Sequence, residues 1–287
     1  MNEKIDLQQL PLVARGGQAG IYDFGNDRVL RVPSLPRDFD RIRYEYQIYT
    51  MLNHSETPVP KVYDLLEADG VPMIVMERLK GRTMMDEIKK HPFRAKAKSA
   101  ELARLQNELL NIHVSAPVRD IKASARYCVG ASGRLSDTVK ARVIEILDLL
   151  PDGDSLCHGD FHPGNIICQN GDNYIIDWSG ASRGDYHCDI AHTYILLKVV
   201  PRAPGVGPIM HLIQKLIGRS LASTYLESIE SMRDVDRRTL ARWVLVKAAE
   251  RTFYGLPSEQ GHLVGFINAC VASDIAPGAD ERFLELL

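Results

Sequence analysis

From Ser155 to Gly180 the chain reads SLCHGDFHPGNIICQNGDNYIIDWSG, and no other stretch restricts its fold so tightly. His158-Gly159-Asp160-Phe161-His162-Pro163-Gly164-Asn165 crowds His, Asp and Asn among Gly and Pro in eight consecutive positions. Ile166-Ile167 and Tyr174-Ile175-Ile176 are β-prone runs joined by Asn170-Gly171-Asp172, the composition of a tight hairpin turn. Such a hairpin brings Asn165 and Asp177 together at its open end. One carboxylate and one amide oxygen are hard ligands, suited to Mg²⁺ and not to a soft transition metal. Asp160, in the loop just upstream, is free to orient or deprotonate a hydroxyl. This spacing of acids and glycines suggests phosphoryl transfer, where positioning and charge neutralisation supply most of the catalysis. Two other readings stay open: a zinc site built from His158 and His162 with Asp160 or Asp177, and an ordinary structural turn. His158 alone reads as a buried, hydrogen-bonded organiser of the loop.

The flanking sequence divides near residue 80. Before it, PLVA, IYDF and VLRV are short strands, the last two joined by Gly25-Asn26-Asp27 as a hairpin. Asp38 to Asn53 changes to a helical period, with Ile42, Tyr46, Tyr49 and Leu52 near one face, and Pro58 and Pro60 stop it. Lys61 to Glu67 and Val71 to Glu77 make two further strands across an Ala-Asp-Gly turn. After Leu79 helices dominate. Leu102, Leu105, Leu109 and Ile112 mark one, Val139, Val143, Leu147 and Leu150 another. Later ones carry Leu212, Leu216 and Leu226, then Trp243, Val246 and Ala249, with Gly/Pro punctuation at 201–208 and 255–258. The expectation is an α+β chain of two lobes, 1–79 and 80–287, with a small-molecule site in a cleft between them.

Composition narrows the partners. Lys plus Arg is 35 and Asp plus Glu 37, a net charge of −2, so general nucleic-acid binding has no electrostatic support. The N-terminal MNEKIDLQQL has no apolar core of a signal peptide. ILLKVV and RWVLVKAA are interrupted by Lys and too short for a membrane span. Five cysteines without a C-x-x-C pair predict neither a disulfide framework nor structural zinc, and a reducing cytoplasm is the simplest home. Gly16-Gly17-Gln18-Ala19-Gly20 matches neither a P-loop nor a dinucleotide fingerprint, and no G-x-S-x-G nucleophile elbow occurs.

HGDFHPGN followed by IIDW resembles the aminoglycoside phosphotransferase and choline kinase-like family, a branch of the protein kinase-like fold. The likeness extends to Gly16–Glu45, to VMERLKG, to Leu110-Asn111-Ile112-His113 and to GDYHCDIAH, about two thirds of the chain. It implies a Mg²⁺-dependent transfer of the γ-phosphate of ATP or GTP to a small-molecule hydroxyl. In that reading Asp160 is the catalytic Asp, Asn165 and Asp177 hold Mg²⁺, and Asp189 braces the catalytic loop. Arg31 takes the strand-three basic position, usually Lys in protein kinases, with Glu45 as its partner. Gly16, Gly17 and Gln18 lie in the loop covering the nucleotide. Met76 lines the base pocket, and the Glu77 carbonyl and Leu79 N–H face the adenine edge.

The acceptor is less legible. Residues 201–287 hold ten Lys/Arg and ten Asp/Glu, without the acidic surplus that a polycationic aminoglycoside requires. An antibiotic, amino alcohol or sugar-like molecule, neutral or singly cationic, suits this balance at least as well. His162, Trp178, Arg183, Asp185, Trp243 and Glu250 are candidate acceptor contacts; capping a helix is a competing role for Asp185, and packing beneath the loop for Trp178. A monomer or a homodimer fits the sequence. The alternative class is a catalytically inactive kinase-like nucleotide-binding or scaffold protein, against which the joint presence of Asp160, Asn165 and Asp177 argues.

Overall fold

The computed structural model describes residues 7–115, 117–201, 205–272 and 287. These fall into two compact units, each drawn from two stretches: 1–87 with 163–181, and 88–162 with 182–287. The architecture is α+β, with a small antiparallel sheet in the first unit and a mainly helical second unit.

The first unit opens with β1 (Leu12–Arg15), β2 (Ala19–Gly25) and β3 (Arg28–Pro33). Helix α1 (Phe39–Leu52) follows, then β4 (Val62–Ala68) and β5 (Val71–Glu77). The strands form one sheet in the order β1-β2-β3-β5-β4, all neighbours antiparallel. The β2–β3 turn holds Gly25, Asn26 and Asp27 at positive φ, and the β4–β5 turn does the same with Asp69 and Gly70. Gly, Asn and Asp tolerate that region best, which is why these positions turn. Alternation then decides the faces. Leu30, Val32, Met73 and Val75 pack together on one side with Tyr22, Phe24 and Leu66. Arg31 and Met76, one position out of phase, point to the other side, where Arg31 meets α1.

Strand β6 (Arg82–Thr83) and helix α2 (Met84–Lys90) follow. Helix α3 (Ala95–Leu109) ends earlier than its apolar spacing suggests: the Ile112 carbonyl accepts from Leu156 N–H, so the chain has already left the helix. Helices α4 (Ile121–Ala131) and α5 (Asp137–Asp148) start at Asp120 and Ser136, whose side chains accept first-turn N–H bonds. Strand β7 (Ser155–Cys157) then leads into the His158–His162 loop.

Strands β8 (Ile166–Gln169) and β9 (Asp172–Ile175) form the expected hairpin across Asn170 and Gly171, both at positive φ. This hairpin belongs to the first unit and pairs with β6. Strand β10 (Ser182–Gly184) returns to the second unit and pairs with β7. Helices α6 (Tyr186–Lys198), α7 (Pro208–Met232), α8 (Arg237–Tyr254) and α9 (Pro257–Ala272) complete the chain. Of the Gly/Pro punctuation at 201–208, residues 202–204 lie outside the described residues. ILLKVV and RWVLVKAA begin within α6 and α8, which are buried on nearly every face and packed on each other, the expected use of apolar segments too short for a bilayer. No helix among the described residues is long and apolar enough to cross a membrane.

Gly81 fixes how β6 approaches the hairpin. A Cβ there would sit 2.1 Å from the Cys168 carbonyl oxygen, and backbone cannot swing aside as a side chain can. Gly81→Ala is expected to cost about 1–3 kcal/mol by overpacking. Chemical denaturation should show it as a lower midpoint; an unchanged midpoint would refute this packing account.

Candidate active site

The first unit carries a charged anchor. Arg31, on β3, donates from Nε to Glu45 Oε2 at 2.8 Å and from Nη2 to Asp177 Oδ1 at 3.2 Å. Burial favours neutral forms of all such groups. It pushes Glu45 up to about 7 against the pull of Arg31, whereas for Arg31 the two carboxylates outweigh burial and raise it further, so the guanidinium stays charged. Glu45 is fully buried on α1, so this is not a surface pair. Asp177 is held from three sides. Its N–H donates to Tyr49 Oη at 3.1 Å, its Oδ1 also accepts from Ser179 Oγ at 3.0 Å, and its backbone is left-handed at φ +64°. The turn before β2 places Gln18 Oε1 3.4 Å from that same Ser179 hydroxyl, while Gly16 N–H closes the turn onto Ala19 O. Gly16 and Gly17 are exposed.

Asn165 ends a short 3₁₀ turn, and its carbonyl accepts from Ile176 N–H at 3.0 Å. With Ile166 opposite Ile175, this bond sets Asn165 beside the residue preceding Asp177, as the hairpin reading requires. Among the described residues no group of three or more His, Cys, Asp or Glu can hold a metal alone. One carboxylate and one amide oxygen instead fit Mg²⁺, which keeps several waters and takes further ligands from substrate phosphates. Met76 is buried on β5, and the Glu77 carboxylate accepts from Lys61 N–H at 3.1 Å. A polar cavity of about 580 Å³ reaches Glu77, bounded also by Asp27, Arg78, Lys80, Arg82 and Gln169; none of the anchor residues lines it.

The second unit carries the loop with Asp160. Asp189, in the first turn of α6, accepts the N–H of His158 at 3.1 Å and of Gly159 at 2.8 Å. Gln106 donates to Asp189 at 2.8 Å and to Thr193 at 3.0 Å, Thr193 donates to Phe161 O at 2.9 Å, and Tyr225 Oη donates to Gln106. His158 is fully buried, and its Nδ1 accepts Asp160 N–H at 3.2 Å, which puts a neutral ring's proton on Nε2. Asp160 itself remains reachable, 43% exposed, with His162 Nε2 at 3.6 Å from its carboxylate. Burial pushes Asp160 up, yet its interaction with the His162 ring outweighs this and holds the carboxyl below its ordinary value. His192 is buried near Lys247 and Arg251 and held well below the ordinary histidine value, so its ring is neutral. Because Arg251 can only donate, His192 Nε2 accepts at 3.2 Å.

A family model described as the phosphotransferase enzyme family matches residues 14–220. The chain belongs to that family. It is accordingly an enzyme, an O-phosphotransferase with the protein kinase-like fold. Solved structures agree on the fold. Aminoglycoside phosphotransferase APH(4)-Ia, a thermostable mutant with AMP-PNP and hygromycin B, is 18% identical with TM-score 0.63, covering 94% of this chain and 95% of that one. Amicoumacin kinase hAmiN, in complex with AMP-PNP, Ca²⁺ and Ami, is 14% identical with TM-score 0.63, covering 99% and 93%. An aminoglycoside-3'-phosphotransferase of type VIII is 20% identical with TM-score 0.61, covering 86% and 93%. No curated protein matches.

The acceptor candidates fare unevenly in this phosphotransferase. Trp178 is fully buried and donates to Ile175 O at 3.2 Å, so it packs beneath the loop and does not face an acceptor. Trp243, expected to offer apolar surface, offers none: it is fully buried and donates to Asp185 Oδ2 at 2.6 Å. Asp185 caps α6 and accepts from His187 N–H, so its carboxylate is committed to the helix and to Trp243. Arg183 holds β10 to Arg119 O through its N–H, with its guanidinium 3.8 Å from Asp120. Glu250 pairs with the buried Lys247 at 2.7 Å. Sequence reasoning missed the brace of Gln106, Thr193 and Tyr225 and the ring of His192. A buried Gln at an apolar helix position was its only signal.

The low Asp160 value has a signed consequence. Ionised Asp160 is favoured by folding, so its contribution to stability is complete above about pH 4 and is lost only as pH falls through the depressed native value. The difference in melting temperature between the native chain and Asp160→Asn should shrink as pH falls below about 4. A difference that persists undiminished in strong acid would contradict the assignment.

Proposed function

We propose that this phosphotransferase moves the γ-phosphate of ATP or GTP to a hydroxyl of a small, neutral or singly cationic molecule, with Mg²⁺ as cofactor. Residues 1–79 supply the nucleotide side, with the base read by the Glu77 carbonyl and Leu79 N–H. Residues 80–287 supply the base and the acceptor side. The observation that carries this reading is the bridge from Arg31 to both Glu45 and Asp177. Such a fork directs a fixed positive charge at the place where triphosphate oxygens and their metal must sit.

Asp160 accepts the acceptor's hydroxyl proton as that oxygen bonds to the γ-phosphorus. The bond to the bridging oxygen breaks, and the departing diphosphate keeps its electron pair. Mg²⁺, when held by the Asn165 amide oxygen and the Asp177 carboxylate, supplies charge neutralisation on the phosphates. Arg31 steadies Asp177, and Asp189 keeps the loop under Asp160 in place. The five cysteines are free thiols, which supports a reducing cytoplasmic home. Nothing in the charge balance favours nucleic acid.

The acceptor class rests on how the C-terminal acids are used. Glu230 pairs with Arg237, Glu250 with Lys247 and Glu259 with Arg251, and Asp236 caps α8. Acids already neutralised by buried or neighbouring cations do not attract a polycation.

Asp160→Asn keeps size but removes the proton acceptor, and is expected to lower single-turnover rate about 10²–10⁴-fold with nucleotide affinity largely intact. Asp177→Ala should weaken Mg²⁺-dependent nucleotide binding as well as turnover, with Asn165→Ala between the two. Normal single-turnover chemistry in folded Asp160→Asn would remove that residue from the mechanism. A Mg²⁺–nucleotide turnover screen across antibiotics, amino alcohols and sugars, read by product mass, tests the acceptor class. Efficient saturation by several aminoglycosides at micromolar concentration would overturn the acceptor assignment.

A further inference from the structure

Helix α7 is amphipathic the wrong way round for a chain that stands alone. Along its first ten residues, Ile209, Met210, Leu212, Ile213, Leu216 and Ile217 are 76, 54, 58, 43, 56 and 37% exposed. The less exposed positions of the same turns are His211, Gln214 and Gly218. Gly218 shows which side faces the chain's own α6. A Cβ there would lie 2.6 Å from the Leu197 carbonyl, and the residue is buried. A helix on a monomer's surface does the reverse, turning its apolar stripe inward and its polar residues to water. The second half of α7 obeys that rule, burying Leu221, Ala222, Tyr225, Leu226 and Ile229.

We propose that this face is the interface of a homodimer, two copies pairing their α7 N-terminal halves antiparallel about a two-fold axis near Leu212–Ile213. Six side chains at these exposures leave on the order of 600 Å² of apolar surface, at the upper end of what a monomer shows. That is about three quarters of the ~800 Å² each partner gives to a standard interface. The stripe is also self-complementary, as an isologous contact requires. About such an axis Ile209 approaches the partner's Leu216 or Ile217, and Leu212 approaches the partner's Ile213, apolar against apolar. Charge selects the direction. Lys215 and Arg219 are the cations of this stretch, and both are exposed. An antiparallel pair sets the two Arg219 side chains roughly 20 Å apart along the axis, at about 1.5 Å per residue, whereas a parallel pair would abut them. A lipid surface is the weaker occupant, because Lys215 and Arg219 are two cations where anionic headgroups select clusters of about four to eight.

Sedimentation velocity from about 1 to 100 µM tests the proposal. The native chain should pass from monomer to dimer in this range, and Leu212→Glu with Leu216→Glu should weaken association at least tenfold while circular dichroism and melting stay unchanged. Leu149→Glu, which alters a residue 71% exposed on α5's C-terminal flank, should leave dimerisation as it is. Ile213→Cys should cross-link between copies on oxidation, and Arg219→Cys should not. A native chain that is monomeric throughout, or a dimer that survives the double substitution, overturns the proposal. So would a monomer that co-sediments with vesicles through this face. A double variant that raises the acceptor KM without changing association would show that the face serves the acceptor instead.

Discussion

The Arg31 guanidinium is the interaction on which the first unit's arrangement around Asp177 depends. It joins a strand, a helix and a hairpin whose residues lie 14 and 146 positions from it in sequence. Two different nitrogens of one planar group serve the two carboxylates, an arrangement that a lysine's single ammonium cannot fix in direction. The fork therefore fixes the direction of both carboxylates at once. Because Glu45 is fully buried, removal of either partner strands an uncompensated charge, typically a loss of about 3–5 kcal/mol. The anchor thus ties local folding of β3, α1 and the β8–β9 hairpin to the placement of Asp177.

Much of this was legible because the relevant signals are local. The β2–β3, β4–β5 and β8–β9 turns each carry Gly, Asn or Asp at positive φ, so turn chemistry marked the strands. A short hairpin across Asn170-Gly171-Asp172 is expected to bring Asn165 and Asp177 together; the structure starts β9 at Asp172, and Ile176 N–H donates to Asn165 O. What remained hidden depends on contacts across long separations. No local pattern tells that Tyr225 reaches Gln106, or that Thr193 holds the Phe161 carbonyl. Trp243 shows the same limit from the other side. Trp243 is expected to offer apolar surface to an acceptor, but α8 is enclosed by α4, α5, α6 and α9 and has almost no surface to offer.

Counting charges in the C-terminal third could not reveal that those charges pair with one another. Lys247 is fully buried beside Glu250, and Arg251 lies between Glu259 and His192. Buried ion pairs of this kind contribute little net stability compared with apolar packing, but each is costly to break singly. Arg251 holds α8 against α6 and α9, and burial, helped by Lys247 and Arg251, keeps the ring of His192 neutral near Asp160. A neutral imidazole lends shape to the loop without adding a fixed positive charge beside Asp160.

The two points of chemistry share one further property. Asp177 sits at φ +64°, and Gly159, immediately before Asp160, at φ +78°. A non-glycine residue in the left-handed region is uncommon and costs on the order of 1–3 kcal/mol unless its surroundings impose it. Here they do. Tyr49 accepts the Asp177 N–H, and Asp189 accepts the Gly159 N–H. Both acceptors are buried side chains fixed by helices, α1 in one unit and α6 in the other. The strain at Asp177 is met when the chain folds, and Gly159 takes its positive φ without steric cost, so folding itself sets the backbone at both positions. A site that works by positioning charge gains most from this, since less reorganisation remains for the transition state.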